Sequence, residues 1–367
     1  MNSKLISVRF IKSTKILWLF VAIIIVLKAF LFMYLSLFVD SNFFGGGRDA
    51  DYYHRYALVS GYFASSNATS IWPEMLRYLN RFGLYNRDIY TLTLFVTSLT
   101  LTPYLFYKIV KNQANVIKPI KAGSFLLIIF YPALFYYSLD VYREVFMFTV
   151  LLFSFLLYKK KLEVTWLRSN VYFLIFLGLT FFLYLLRPYL GIALGLTPFF
   201  YLIFFKTKRY IKTWVILYCL ILVLAKISGV IDPLLLYRGD GSDSVGSALG
   251  IGLYNKNPIM FLVYYLLSLF GQLFGLFMVN ISAVLVFFLE SLPFTLAFIY
   301  VFKNIRFMTR FACFLLIFFV IYTTVWLLGN DNLGTAVRLR IPSYLVIFAC
   351  MFIVYQVKSK LSFNKII

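Results

Sequence analysis

Long apolar runs separated by short basic clusters organise the chain from Ile16 to Gln356. A helix crossing the hydrocarbon layer needs about 20 apolar residues. Ten runs are read as spans, at roughly 16–38, 89–108, 122–138, 143–158, 170–186, 190–205, 213–231, 280–302, 311–328 and 341–356. Stretch 257–279 is also apolar, but counting it would move the last two basic clusters to the opposite side. It is read instead as an interfacial or re-entrant pair of half-helices broken near Gly271 or Gly275. The predicted fold is therefore all-α, a polytopic membrane helical bundle of about ten transmembrane helices forming one integral membrane domain over 1–367. A long outer loop, 39–88, is expected to carry interfacial amphipathic helices, and 232–279 forms a second outer loop.

The polar residues orient this pattern. Six clusters, Lys4 to Lys15, Lys108 to Lys121, Lys159 to Arg168, Lys206 to Lys212, Lys303 to Arg310 and Lys358 to Lys365, fall at every second connection. The positive-inside rule places all six, and both termini, in the cytoplasm. They hold 22 of the 35 Lys and Arg residues but one acid, Glu163, whereas the rest of the chain carries 13 cations and 12 acids. The net charge of +22 is thus a topology signal and not a nucleic-acid footprint. With 62% of residues hydrophobic and 13% charged, a soluble core cannot absorb the apolar surface. The first run is long for a cleavable signal and no small-residue cleavage site follows, so it reads as a retained anchor. Cys219, Cys313 and Cys350 lie in apolar runs and offer no disulfide or metal-ligand spacing. Abundant Phe, Ile, Lys, Tyr and Asn suit a bacterial, AT-rich source.

Of the 11 outward cations, 10 are Arg and one is Lys256. Two readings fit: rigid forks that bind phosphate or carboxylate bidentately, or ion pairing with the neighbouring acids. The first outer loop holds Gly45-Gly46-Gly47-Arg48-Asp49-Ala50-Asp51-Tyr52-Tyr53-His54-Arg55. A helix starting near Asp49 puts Asp51, the only histidine and Arg55 on one face at i, i+3 and i+4. That set can take a proton from a hydroxyl and hold an anionic leaving group; alternatively Asp49 caps the helix and Asp51 pairs with Arg55. A second helix is expected from Ser70 to Gly83, with Glu74, Arg77 and Arg81 on one face and Trp72, Met75, Leu76 and Leu79 on another. The next outer turn puts Asp140 and Glu144 on one face at the start of span four with Arg143 beside them, either to offset the helix dipole or to line a cavity. Arg187 precedes Pro188 in Arg-x-x-x-Gly191. Arg338 and Arg340 open span ten, where they need a counter-charge from Asp331, another outer acid or a substrate phosphate. Lys28 and Lys226 are placed to snorkel, and Glu290 to face the bundle interior.

With a long acidic first outer loop (Asp49, Asp51) and a second acidic position between spans three and four (Asp140, Glu144), the layout resembles the GT-C class of membrane glycosyltransferases. Size, composition, the Arg187 to Gly191 motif and the Asn332-Leu-Gly-Thr-Ala-Val-Arg338-Leu-Arg340 ending are similar to the Wzy-type O-antigen and capsular polysaccharide polymerases, although the soluble outer domain of larger members is missing. The resemblance implies a catalytic set of Asp49, Asp51, His54, Asp140 and Glu144. It also implies diphosphate binding by Arg48, Arg55, Arg143, Arg187, Arg338 and Arg340. The substrate would be a polyprenyl-(di)phosphate-linked oligosaccharide, with a polysaccharide chain-length regulator as partner and no nucleic acid. No nucleotide or redox cofactor is needed, and a divalent metal on Asp49, Asp51 and Asp140 is compatible. Two rivals are a polyprenyl-monophosphate-dependent transferase and a flippase or transporter for the same lipid; the latter would spread ionisable groups through the spans, where only Lys28, Lys226 and Glu290 lie.

Overall fold

The computed structural model describes residues 2–38, 48–58, 70–111, 118–207, 211–240, 249–254, 256–278 and 280–363. Among them the fold is all-helical and divides into two compact units, residues 1–191 with 359–367, and residues 192–358. Unit 1 contains α1 (Asn2–Phe38), α2 (Arg48–Leu58), α3 (Ile71–Arg81), α4 (Arg87–Leu99), α5 (Leu101–Val110), α6 (Lys118–Phe130), α7 (Pro132–Tyr136), α8 (Arg143–Glu163) and α9 (Trp166–Leu186). Next, α10 (Pro188–Thr207) passes into unit 2, which holds α11 (Ile211–Ile227), α12 (Asp232–Asp240), α13 (Pro258–Ser268), α14 (Ile281–Val286), α15 (Leu292–Lys303), α16 (Arg310–Gly329) and α17 (Leu333–Phe363).

Prolines set several boundaries. The α4–α5 break falls at Leu99–Thr100, where the ring of Pro103 collides with the carbonyl four residues earlier. Tyr131, pushed out of helical geometry by Pro132, ends α6 (φ −59°, ψ 113°). Arg187 does the same before Pro188 (φ −158°, ψ 101°). Span three, expected over 122–138, is therefore interrupted.

Among the described residues, six helical stretches are long and apolar enough to cross a membrane: Thr14–Phe38, Arg87–Val110, Trp166–Leu186, Ile281–Lys303, Arg310–Gly329 and Leu333–Leu361. Four more apolar helices are shorter: Pro119–Phe130, Pro188–Phe204, Thr213–Ile227 and Pro258–Leu273. The outward surface is itself apolar, with Leu19, Val26 and Phe30 on α1 and Leu174 on α9 each more than 60% exposed. Water would penalise such patches and lipid does not. The architecture is that of a helical membrane protein.

The helix expected as span four forms as one piece, α8. Between the Arg143–Glu144 pair and Lys159, α8 offers only Val145 to Tyr158 as an apolar run, and most of it is buried among α4, α5 and α9. It is the core helix of unit 1. In the stretch 257–279, one helix, α13, tightens into a π-helical turn at Leu269–Leu273 and ends. The break comes at Phe274–Gly275 (φ +65°), one of the two expected places. Among the described residues no second half-helix stands between Gly275 and α14. Lys226 reaches the Tyr254 carbonyl (2.8 Å) and Asp232 (3.3 Å), and Lys28 lies over the Phe135 ring.

Candidate functional site

In unit 1 the acidic residues of α2 and of the Asp140 turn come together, although 89 positions separate Asp51 from Asp140. The link is Arg87, in the first turn of α4 just after Asn86, whose side chain caps the helix by accepting from the Ile89 amide (3.1 Å). The Arg87 guanidinium donates to both oxygens of Asp140 (2.9 and 2.6 Å) and to Asp51 (2.8 Å). Asp140 also accepts from the Val141 amide (2.7 Å).

His54 adjoins this group. Its Nδ1 lies 3.0 Å from the Tyr85 hydroxyl. Burial lowers the His54 pKa, and the neighbouring Arg87 charge lowers it further, against the opposing pull of Asp140 and Asp51. The imidazole is therefore held neutral and able to accept a proton. Burial raises Tyr85 to about 12, leaving it a hydroxyl donor.

A second cluster forms where α8 meets the α9–α10 joint. Glu144, 2% exposed, faces Arg187 across 3.5 Å, while Arg143 donates to the Leu186 carbonyl (3.0 Å). Tyr53 on α2 is raised mainly by burial, with Arg143 opposing and Glu144 and Asp49 adding. Gly191 of the Arg-x-x-x-Gly motif fits tightly here: a β-carbon on it would strike the backbone of Tyr184.

The α2–α3 pair frames both clusters. Trp72 donates to the Val141 carbonyl (2.9 Å), the Tyr56 hydroxyl to Glu74, and Asn80 to the Ala57 carbonyl (3.0 Å). Leu84 N–H closes α3 onto the Leu79 carbonyl (3.0 Å), with Gly83 at φ +67° providing the left-handed turn.

Several expectations need correction. Asp51 and His54 share surroundings, but Arg55 is exposed and bonds only the Asp51 carbonyl (3.4 Å); the carboxylate goes to Arg87, which presents two donors in one plane. Asp49 lies in the first turn of α2, which begins at Arg48, so it is not the cap residue. Asp140 and Glu144 do not share a helix face, because α8 starts only at Arg143 and each acid meets a different arginine. Arg77 is buried with the apolar face of α3, its guanidinium over the Tyr56 ring. Ser70 precedes α3 without a capping hydrogen bond. The Gly45–Gly47 run, the Arg48 side chain and most of the Gly/Ser stretch after Asp240 lie outside the described residues.

Unit 2 has its own buried ionic network. Arg238 meets Asp331 (2.5 Å), the Leu327 carbonyl (2.6 Å) and Ser268. Asp331 is therefore taken by Arg238 and is not the counter-charge of Arg338 or Arg340. Arg340 instead lies 4.0 Å from Glu290, which is 1% exposed as its place ahead of Pro293 predicts, and donates to Ser291 (3.3 Å). Tyr344 bonds Ser291 (2.9 Å) and the Leu273 carbonyl (2.5 Å). Arg338, half-buried in the second turn of α17, stands four residues before Pro342, which leaves the Arg338 carbonyl without its helical donor.

Arg87 is the site residue that sequence reasoning missed. Its signal was available: like Arg338 and Arg340, it is a cation in the first turns of an apolar helix, against the dipole. Among the described residues no three His, Cys, Asp or Glu side chains gather as a metal site. No protein-family model, curated protein or solved structure matches the chain.

Proposed function

We propose that the chain is an inner-membrane glycosyltransferase acting on the outer face. It joins polyprenyl-diphosphate-linked oligosaccharide repeats into an O-antigen or capsular polymer. The observation that carries this reading is the gathering of Asp51, His54 and Asp140 around Arg87, with Glu144, Arg143 and Arg187 at the next helix joint of the same unit. In this reading ten segments cross the bilayer, 257–279 is re-entrant, and both termini are cytoplasmic.

Neutral His54 takes the proton of the acceptor hydroxyl as its oxygen bonds the donor sugar's anomeric carbon. The bond from that carbon to the diphosphate oxygen breaks, and the electron pair leaves with the diphosphate. Arg143 suits the leaving group best, because among the described residues its guanidinium bonds a carbonyl and meets no carboxylate at ion-pair distance. Arg87 and Arg187 already face carboxylates and would exchange them for phosphate or hold the acids in place.

The test is complementation of a strain lacking the chain with Asp51→Asn and Arg338→Ala variants, scored by the polysaccharide ladder. Collapse to a single repeat on the lipid supports polymerisation. Full-length chains lacking one substituent indicate a single-sugar transferase, and full ladders from both variants sink the catalytic assignment.

A further inference from the structure

The opposite, lysine-rich end of unit 1 carries chemistry the proposed reaction does not use. Lys159 is occupied: its ammonium donates to the carbonyls of Lys108 (3.0 Å), Ile109 (2.8 Å) and Lys111, tying the end of α5 to the end of α8. Four neighbouring lysines are held differently, each against a ring. Lys121 stands 5.7 Å from the Trp18 ring centre and 5.6 Å from that of Tyr107. Lys108 is 5.2 Å from Tyr104, Lys160 is 5.7 Å from Tyr172, and Lys161 is 4.1 Å from Phe173.

Among the described residues none of these four ammonium groups has a protein hydrogen-bond acceptor or a carboxylate at ion-pair distance. A ring face attracts a cation but leaves its three N–H donors for an acceptor. The only acid in the α8–α9 turn is Glu163. Beside the turn, Trp166 and Leu167 are 78% and 71% exposed in the first turn of α9. Cations with open donors thus adjoin exposed apolar side chains at the end of helices apolar enough to cross a membrane.

We infer that this end of unit 1 binds anionic phospholipid. The headgroup phosphates accept from Lys108, Lys121, Lys160 and Lys161, and the acyl chains lie against Trp166 and Leu167. A soluble phosphate compound would use the cations but gain nothing from the apolar flank, which is why the lipid is favoured. The inference does not depend on the proposed reaction.

The test uses the full chain in mixed phosphatidylglycerol and phosphatidylcholine vesicles, with lipids retained on extraction counted by native mass spectrometry. The wild type is expected to retain phosphatidylglycerol preferentially, with the preference falling about fivefold per lysine replaced by Gln and surviving replacement by Arg. No preference in the wild type, or an undiminished one in the K108Q/K121Q/K160Q/K161Q variant, would overturn the inference. Should that variant not fold, hydrogen exchange on the wild type decides. Slower exchange of the α8–α9 turn in phosphatidylglycerol than in phosphatidylcholine, lost at high salt, supports the site; equal exchange refutes it.

Discussion

Replacing Arg87 by Met removes the bridge between Asp51 and Asp140 while keeping the length of the side chain. The two contacts do not count equally. Asp140 is 9% exposed and loses two charge-assisted bonds of 2.9 and 2.6 Å, keeping only the Val141 amide. Asp51 is 31% exposed and loses one, at 2.8 Å. Breaking a fully buried pair costs about 3–5 kcal/mol, whereas a solvated one is worth about 0–1 kcal/mol. With Arg87 itself 23% exposed, the expected loss is about 2–4 kcal/mol, nearly all through Asp140. In a unit of this size that lowers Tm by about 5–15 °C. The assay is thermal unfolding in detergent at neutral pH for Arg87→Met, Asp51→Asn, Asp140→Leu and the pair Arg87→Met with Asp140→Leu. Asp51→Asn should cost less than about 1 kcal/mol, and the double variant less than the sum of its singles, since only the partly exposed Asp51 carboxylate is then left without its partner. An Arg87→Met loss below about 1 kcal/mol, or an additive double variant, would refute the reasoning.

Two further outcomes follow from local geometry. Because burial and Arg87 lower the His54 pKa, the folded chain binds fewer protons than the unfolded one, so stability is lost as pH falls below the ordinary value of about 6.5. Thermal unfolding between about pH 5 and 7.5 should therefore show a steeper loss for wild type than for His54→Gln; parallel curves would refute the assignment. Gly191→Ala forces a β-carbon against the Tyr184 backbone and should cost about 1–3 kcal/mol, whereas Gly178→Ala, with nothing within 4 Å, should be neutral or stabilising. Equal effects at the two glycines in a denaturation series would remove the case for a close approach at Arg187.

The hydrophobic pattern alone was enough to establish helices and apolar runs, because twenty-residue apolarity acts locally; the breaks ahead of Pro103 and at Pro132, inside runs read as continuous, came from the structure. The break near Gly275, the second helix ending at Gly83 and the burial of Glu290 were legible in the sequence. Local pattern also located Asp49, Asp51, His54, Asp140, Arg143, Glu144 and Arg187, every one of which lies in unit 1.

Tertiary structure decided which charge meets which. Spacing along the chain suggested Asp51 with Arg55, Asp140 on one face with Glu144, and Asp331, another acid or a phosphate as the counter-charge of Arg338 and Arg340. The fold paired Asp51 and Asp140 with Arg87, Glu144 with Arg187, Asp331 with Arg238, and Glu290 with Arg340. The cause is desolvation: a carboxylate taken out of water is stabilised by a guanidinium within reach, bound through both oxygens at Asp140, and a partner one turn along an exposed helix remains better solvated by water. Packing likewise made α8 the core of unit 1, because a fourteen-residue apolar run ringed by helices is buried whatever its hydropathy. The division of arginine and lysine between alternate connections was legible in the sequence; that Arg87, Arg187, Arg238 and Arg340 stand against carboxylates, and Lys108, Lys121, Lys160 and Lys161 against aromatic rings, required the helices to be packed.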